Sequence, residues 1–516
     1  MRRVTIIHVV GVIIVSAVAV AQVQNGNDSA ISVSLLRKLD ELAPQQQISI
    51  QVFLRDRVDL VPFHALKKKD KGQMIRLLKS RMEKQQKPLR QWLKQYGVSD
   101  VRSLWINNSL IISVDPAVIR QLAQLPQVEI IEPDTVMHLG AMQSAGIGTP
   151  QWHLNVIEAP FMWSLGFDGT GVVVAGMDTG VDIHHPDLAS RWRGGQNSWK
   201  DVFDQHSLPY DPHGHGTATM GVMVGGDAGG TSIGVAPGAR WIAVKIFDDN
   251  GNTSYSKIHE GFQWLLDPDG NPDTPDAPDI VNNSWGLHAA VNQCIEEFQQ
   301  DIDALKAAGI AVVFAAGNAG PTAATSISPA NNIGNLSVGA TDEAGTVASF
   351  SSRGPAPCDL DIFPSLSAPG TNLKTTDLTG DGTIPYSYAY VSGTSYASAV
   401  VSGSMALLLS AFPEMDVVQL EKTVFLSAVD SGETGPDDVY GNGIVNVAAA
   451  YELAASVCPA DFQKDYEVGL TDMMILASEW LSQDCPTCQS DINHDGNVDY
   501  LDFVSFAQQF GKSQCP

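Results

Sequence analysis

Between residues 151 and 456 apolar strand-like runs alternate with helical patterns, and no other feature limits the fold of this chain so strongly. Segments 171–177, 240–247, 279–283 and 310–316 read as buried strands, and 256–266 and 291–308 as helices. Near-continuous apolar strands separated by helices predict an α/β fold: a doubly wound, mostly parallel sheet covered on both faces. In such sheets ligands gather beyond the carboxyl ends of the strands. The polar residues standing there are therefore candidates for chemistry.

Three of them stand out. The run Val172-Val173-Val174-Ala175-Gly176-Met177 ends in Asp178-Thr179-Gly180. An Asp closing a buried strand is costly without a partner, and a histidine held in one tautomer is a natural one. His213-Gly214-His215-Gly216-Thr217-Ala218 follows, opening an apparent helix over 218–224. Far downstream, Gly393-Thr394-Ser395-Tyr396-Ala397-Ser398 runs into an apolar helix reaching Leu409. A serine at a helix N-terminus meets free backbone N–H groups and the positive end of the dipole, which stabilise an oxyanion formed beside it. Each motif alone arises readily by chance, and helix capping is the ordinary role of such a serine.

Together, in the order Asp, His, Ser, the motifs resemble the subtilase family of serine peptidases. The resemblance spans about 22–456, and Gln151-Trp152-His153-Leu154 and Asn282-Asn283-Ser284-Trp285-Gly286 look most like bacillopeptidase F-like secreted members. It implies a subtilisin-like fold with Asp178 orienting the imidazole, His215 as general base and Ser395 as nucleophile. Asn318, in Ala315-Ala316-Gly317-Asn318, matches the amide donor of the oxyanion hole. Ser284, Trp285 and Gly286 match the segment that pairs with substrate backbone, and Ala316 and Gly317 would border the side-chain pocket. Phe350-Ser351-Ser352-Arg353-Gly354-Pro355 and Ala368-Pro369-Gly370 are structural landmarks of the family. Asp187 falls where some members bind calcium. Where the family usually has Pro-His-Val after the nucleophile, this chain has Ala399-Val400-Val401, a change that touches no chemical role. The acidic stretch 267–273 mimics a calcium loop, but Pro272 stands where a glycine is needed, so it reads as a solvated insertion.

The two ends of the chain carry their own signals. Arg2 and Arg3, an apolar run over 4–15 and Ala19-Val20-Ala21 form the pattern of a secretory signal peptide over 1–21. The alternative, an uncleaved anchor, is disfavoured by the short apolar run. Later segments do not reach 18 apolar residues without a charge or turn signal, so a secreted or extracytoplasmic protein is expected, with periplasm and cell surface included. No membrane span is expected once the signal is removed. Residues 22–139 read as a small α+β unit: strands over 48–54, 103–114 and 128–132, helices over 72–96 (with Pro88 interrupting) and 116–125. Standing before a peptidase-like body, and with 110–114 onward resembling subtilase prodomains, this unit is expected to act as an intramolecular inhibitor cut off near 134–146. A permanent N-terminal binding domain is the alternative. Charge favours docking: residues 1–139 hold 19 basic and 12 acidic side chains, whereas 140–516 hold 12 basic and 45 acidic. So acidic a body also argues against nucleic acid as a partner.

The tail repeats itself with a period of 30: Cys458 maps to Cys488, Asp461 to Asp491, Asp465 to Asp495, Asp472 to Asp502 and Cys485 to Cys515. In the second copy Asp491, Asn493, Asp495, Gly496, Asn497, Asp499 and Asp502 follow EF-hand-like spacing, supplying the oxygens calcium requires. With a short helix after each loop, 457–516 resembles a dockerin module, an all-α calcium-loop repeat, which implies a cohesin-like partner. Calcium ligands are expected at Asp491, Asn493, Asp495, Asn497 and Asp502. The first loop, with Gln463 and Tyr466 in place of a ligand and the turn glycine, is expected to bind weakly or not at all. Six cysteines in an exported chain favour disulfides; whether Cys294 pairs with Cys358, and how the tail four connect, the sequence leaves open. Segments 140–456 and 22–139 thus predict a secreted, self-processing serine endopeptidase of protein and peptide substrates, without an organic cofactor. A catalytically silent binding protein docked through its tail is the alternative.

Overall fold

The computed structural model describes residues 30–63, 71–139, 143–144, 152–359, 362–456, 459–463, 466–483, 488–493 and 496–511. The signal-peptide reading lies outside these residues, as do Asp465, Asp495, Cys458, Cys485 and Cys515.

The front unit contains α1 (Val33–Glu41), β1 (Ile48–Leu54), α2 (Gly72–Gln95), β2 (Arg102–Leu104), β3 (Ser109–Val114), α3 (Pro116–Leu122) and β4 (Val128–Pro133). Its strands form a sheet in the order β2-β3-β1-β4, with antiparallel pairings. Alternate residues Ile50, Val52 and Leu54 meet Leu110, Ile112 and Val114 and the α2 residues Leu89 and Leu93 in one core. Two expectations are corrected. Helix α2 runs straight through Pro88. The proline costs about 3 kcal/mol in a helix interior, but Leu89 and Leu93 are buried in the front unit and Met74, Ile75 and Leu78 in the body. At about 1.5–3 kcal/mol for each large apolar side chain, that burial outweighs the loss. The strand expected over 103–114 is a hairpin instead. Asn108 takes a left-handed φ of 52°, which Asn tolerates, and turns the chain.

After β5 (Val136–His138) and β6 (Gln143–Ser144), the body opens with α4 (Trp152–Val156) and α5 (Ala159–Ser164). It continues with β7 (Val173–Asp178), α6 (Pro186–Ala189), β8 (Trp199–Asp201), α7 (His215–Val224), β9 (Arg240–Lys245), β10 (Asn252–Ser254), α8 (Tyr255–Leu266) and β11 (Ile280–Asn283). Then come α9 (Gln299–Ala307), β12 (Ala311–Ala315), β13 (Leu336–Thr341), β14 (Leu366–Pro369), β15 (Leu373–Thr376), β16 (Tyr388–Ser392), α10 (Thr394–Ala411), α11 (Val417–Leu426) and α12 (Val447–Ala455). Seven strands make a parallel sheet in the order β14-β13-β12-β11-β7-β9-β8. Its two faces bury opposite residues of each strand. Val174, Ile280 and Val313 pack with α7 and α10, while Ala175, Val281 and Val312 pack with α8 and α9. Among the described residues α10 is the one helix long and apolar enough to cross a membrane, and it is a core helix of this sheet.

The helix expected over 291–308 begins only at Gln299. The preceding residues are bonded elsewhere: Asn292 N–H donates to the Ser326 carbonyl, Ile295 N–H to Ser328 Oγ, and Cys294 forms a disulfide with Cys358.

In the tail, α13 (Leu470–Glu479) and α14 (Tyr500–Gln509) pack around Phe462, Val468, Leu476, Val498 and Phe506. The front unit grips the body across a wide face. Arg102 pairs with Glu260, Trp105 N–H donates to Gln263 Oε1 (2.7 Å), and Ile106 is buried in the body's core. Asn107 reaches the buried His259. Burial works against a charge on that imidazole, yet Asp301 and Glu297 push its pKa up to about 10. Both ends of α8 are held from the front unit. Asp134 accepts from Ser256 N–H (3.0 Å) and Oγ–H (2.9 Å) at one end, and Lys71 Nζ donates to the Leu266 carbonyl (2.9 Å) at the other.

Candidate active site

Strand β7 delivers Asp178 to the carboxyl edge of the sheet, and α7 begins at His215 because Gly214 takes a left-handed φ of 84° there. Their side chains meet: His215 Nδ1 lies 2.7 Å from Asp178 Oδ1, both groups buried. Asp178 Oδ1 also accepts Thr179 N–H (2.7 Å), which fixes the carboxylate. Burial by itself lowers the His215 pKa. The charge and hydrogen bond of Asp178, helped by Asp211, outweigh it and hold the imidazole above its ordinary value. An Nδ1 bonded to carboxylate leaves Nε2 as the nitrogen able to take a proton.

Ser395 sits in the first turn of α10, where backbone N–H groups lack intrahelical partners. Its Oγ donates to the Ser284 carbonyl (3.2 Å), while Ser284 Oγ donates back to the Ser395 carbonyl (2.8 Å). Asn318 is anchored by its oxygen, which accepts Thr394 N–H (3.0 Å) and Thr394 Oγ–H (2.9 Å). That assignment presents the amide N–H groups to the cleft, alongside the free end of the helix.

His215, Ser395, Asn318, Ser284, Trp285 and Gly286 all line one cleft of about 370 Å³. Two expected residues stand behind it. Ala316 and Gly317 are buried, and Gly317 is fixed by donating its N–H to Thr394 Oγ (3.1 Å). A side chain there would strike Ile327, and the φ of 107° suits only glycine. Trp285 turns its ring into the core against Phe262, Phe298 and Phe314, so it floors the cleft.

Sequence reasoning assigned no role to several further cleft residues. Phe247 and His288 line it, and the Tyr396 ring lies 5.8 Å from His215. Burial and the nearby His215 lower the His288 pKa. More important, the front unit's own end enters the cleft. Strand β5 pairs antiparallel with β10, aligning Val136 with Ser254, Met137 with Thr253 and His138 with Asn252. Leu139 N–H donates to the Gly251 carbonyl (2.8 Å), and Met137, His138 and Leu139 are part of the cleft lining.

The other acidic candidates resolve differently. Asp187 is satisfied within the protein, by Tyr388 Oη (2.6 Å) and Ala228 N–H (2.8 Å). The 267–273 stretch is not simply solvated: Asp267 is buried, as is Asp276 just beyond it, and both are paired with lysines of the front unit. In the tail, the two loops share one geometry. Gly496 N–H donates to Asp491 Oδ2 (2.9 Å) and Ile492 N–H to Asp502 Oδ1 (2.8 Å). In the first loop Tyr466 N–H and Phe462 N–H make the same bonds to Asp461 (2.7 Å) and Asp472 (2.8 Å). Tyr466 does so with a left-handed φ of 67°, against 88° at Gly496.

Comparison with known proteins points to one family. The Subtilase family model matches residues 169–443. Bacillopeptidase F of Bacillus subtilis is 35% identical over 401 residues, 70% of this chain and 27% of that protein. Subtilisin E of Bacillus subtilis is 32% identical over 346 residues, covering 66% of this chain and 80% of the relative. Serine protease AprX of the same organism is 34% identical over 298 residues, 54% of this chain and 65% of that protein. A strand-borne aspartate, a histidine bonded to it and a serine at a buried helix start thus sit in a chain that belongs to the subtilase family of serine endopeptidases.

Proposed function

We propose that the protein is exported as a zymogen that cuts off its own front unit and then hydrolyses peptide bonds in other proteins. The observation that carries this reading is β5 lying in the cleft as an added strand. A segment paired with β10 through its backbone is held as an extended substrate would be, with side chains playing a secondary part.

The residues define the steps. Ser395 Oγ attacks the carbonyl carbon of the bound peptide while His215 Nε2 takes its proton. The imidazolium that forms is stabilised by Asp178, and the oxyanion by Asn318 Nδ2 and the Ser395 N–H. His215 then protonates the leaving amine, the C–N bond breaks and an acyl-enzyme on Ser395 remains. Water, deprotonated by the same imidazole, releases the second product. After self-cleavage the front unit stays as an inhibitor until it dissociates or is degraded, because its contacts extend far beyond the cleft.

In the tail, the second loop offers oxygen donors alone. Asp491, Asn493, Asn497 and Asp502, with Asp495, would hold calcium, which needs six or more oxygens. Each carboxylate oxygen that accepts one N–H retains a lone pair. The ion would stiffen the entry to α14. A dockerin-like tail would then join the peptidase to a cohesin-like partner.

The test is expression of residues 22–516 with calcium, beside Ser395→Ala, followed by gel and intact mass. Loss of a front piece ending near 134–146 in the parent alone supports both the nucleophile and the propeptide. If both chains stay whole and the parent cleaves no casein, the silent binding protein takes its place.

A further inference from the structure

Beyond the cleft, one group of side chains is built as though for an ion. Asp267, Asp269 and Asp276 each offer a carboxylate oxygen, and these lie within 4.8 Å of one another. Three carboxylates so close repel strongly unless positive charge sits among them. The front unit supplies it. Lys79 Nζ lies 2.5 Å from Asp267 Oδ2 and 3.2 Å from the Gly270 carbonyl. Lys71 Nζ, on a side chain only 1% exposed, lies 3.5 Å from Asp276 Oδ1 and 2.9 Å from the Leu266 carbonyl. Arg193, which belongs to the body, donates to the Asp276 carbonyl (2.5 Å) and so remains when the front unit leaves.

Asp269 N–H (2.9 Å) and Asn197 Nδ2 (3.3 Å) donate to Asp276 Oδ2, and Asn271 N–H (2.8 Å) and Thr274 Oγ (2.8 Å) to Asp269, yet two buried oxygens lack a donor even with both lysines present. Asp267 Oδ1, on a side chain 1% exposed, accepts no hydrogen bond, and neither does Asp276 Oδ1. A buried carboxylate oxygen without a donor is expensive. It is also what a metal ligand looks like when its ion is represented by something else.

We propose that the 267–276 turn is a calcium site of the mature peptidase, which Lys71 and Lys79 of the front unit fill with their ammonium groups in the zymogen. The oxygens the two ammonium groups contact, with Asp269, are the ligand set: three carboxylates and the carbonyls of Leu266 and Gly270. Five protein oxygens completed by water suit calcium, which accepts six to eight in flexible geometry. They suit magnesium less well, because it demands a regular octahedron. The front unit and calcium therefore compete for one site, and calcium promotes release of the inhibitor. This competition rests on the reading of the front unit as a removable propeptide; the ion site itself does not.

The site is tested on the full chain carrying Ser395→Ala, so that the front unit stays attached. Calcium bound per chain is counted by equilibrium dialysis. Terbium luminescence is excited through tryptophan, since the Trp105 ring lies 5.1 Å from Lys79 Nζ. Lys71→Met with Lys79→Met is expected to bind one calcium more per chain than the parent, and adding Asp269→Asn to remove it. An equal count in a folded double variant overturns the site. Should that variant fail to fold, the unmodified chain decides. After self-cleavage, calcium at constant ionic strength is expected to speed release of the front piece several-fold over magnesium, and Asp269→Asn to abolish the difference while leaving the tail loop intact. Equal release rates overturn the competition. A chain that never cleaves itself defeats the functional reading, and the ion count then still judges the site.

Discussion

The front unit and the tail meet the body in opposite ways. The front unit inserts a strand into the cleft, buries Met74, Ile75, Leu78 and Ile106 in the body's core, and neutralises its carboxylates with lysines and arginines. The front unit is thus bound through charge, backbone pairing and buried apolar side chains. The tail meets the body at α11, where Gln419 donates to the Gln463 carbonyl (3.4 Å) and Thr423 Oγ bonds Tyr466 Oη (2.7 Å). Tyr466, the residue that replaces a turn glycine in the first loop, makes one of those contacts through its hydroxyl.

The contrast predicts a graded set of effects. Ser395→Ala is expected to lower kcat by about 10⁶-fold, the loss measured in subtilisin, and to keep the front unit attached; intact mass that still shows cleavage would break the scheme. Asn318→Ala should cost about 10²–10³ in kcat, again a magnitude known from subtilisin, with KM on a short peptide little changed. Within the front interface, Lys71→Met removes the buried ammonium from Asp276 and leaves it Arg193 alone. It should weaken inhibition by the clipped front piece by about 1.5–3 kcal/mol in chelator. Arg76→Met, whose pair with Asp273 is largely exposed, should cost at most about 1 kcal/mol. Similar losses for the two would mean that burial does not rank these pairs.

The pH profile probes the cleft itself. Catalysis needs neutral His215, and its pKa is held above 6.5 by Asp178. Activity should therefore rise with pH along a limb centred above 6.5, and Asp211→Asn should move that limb toward acid. At the small end, Tyr466→Phe should cost about 1 kcal/mol of tail docking, seen as faster proteolysis near 457 with peptide hydrolysis unaffected. A loss of hydrolysis there would show the tail to be more than an attachment.

Much of the site is legible in the sequence because its residues punctuate regular elements. Asp178 ends an apolar strand, and His215 and Ser395 start helices. The cleft's occupant is not legible. Neither Val136–His138 nor Asn252–Ser254 carries an alternating pattern, since three-residue strands pair through backbone and leave no periodicity. The same holds for the hairpin at Asn108 and for α2 passing through Pro88, where tertiary contacts overrule local preference. The acidic turn at 267–276 reads as surface because its buried neutralising partners lie nearly two hundred residues earlier.

One feature of the interface reaches into the mature enzyme. Helix α8 receives a carboxylate, Asp134, at its N-terminal end and an ammonium, Lys71, at its C-terminal carbonyl, the signs that complement a helix dipole. Both come from the segment that the proposed self-cleavage would remove. On that scheme the liberated peptidase, in chelator, would have a helix frayed at two ends beside β10, and calcium would hold only the Leu266 end. Its amides at 256 and 266–267 should exchange with deuterium faster than those in the middle of α8, and substrate binding at β10 should slow the first of them.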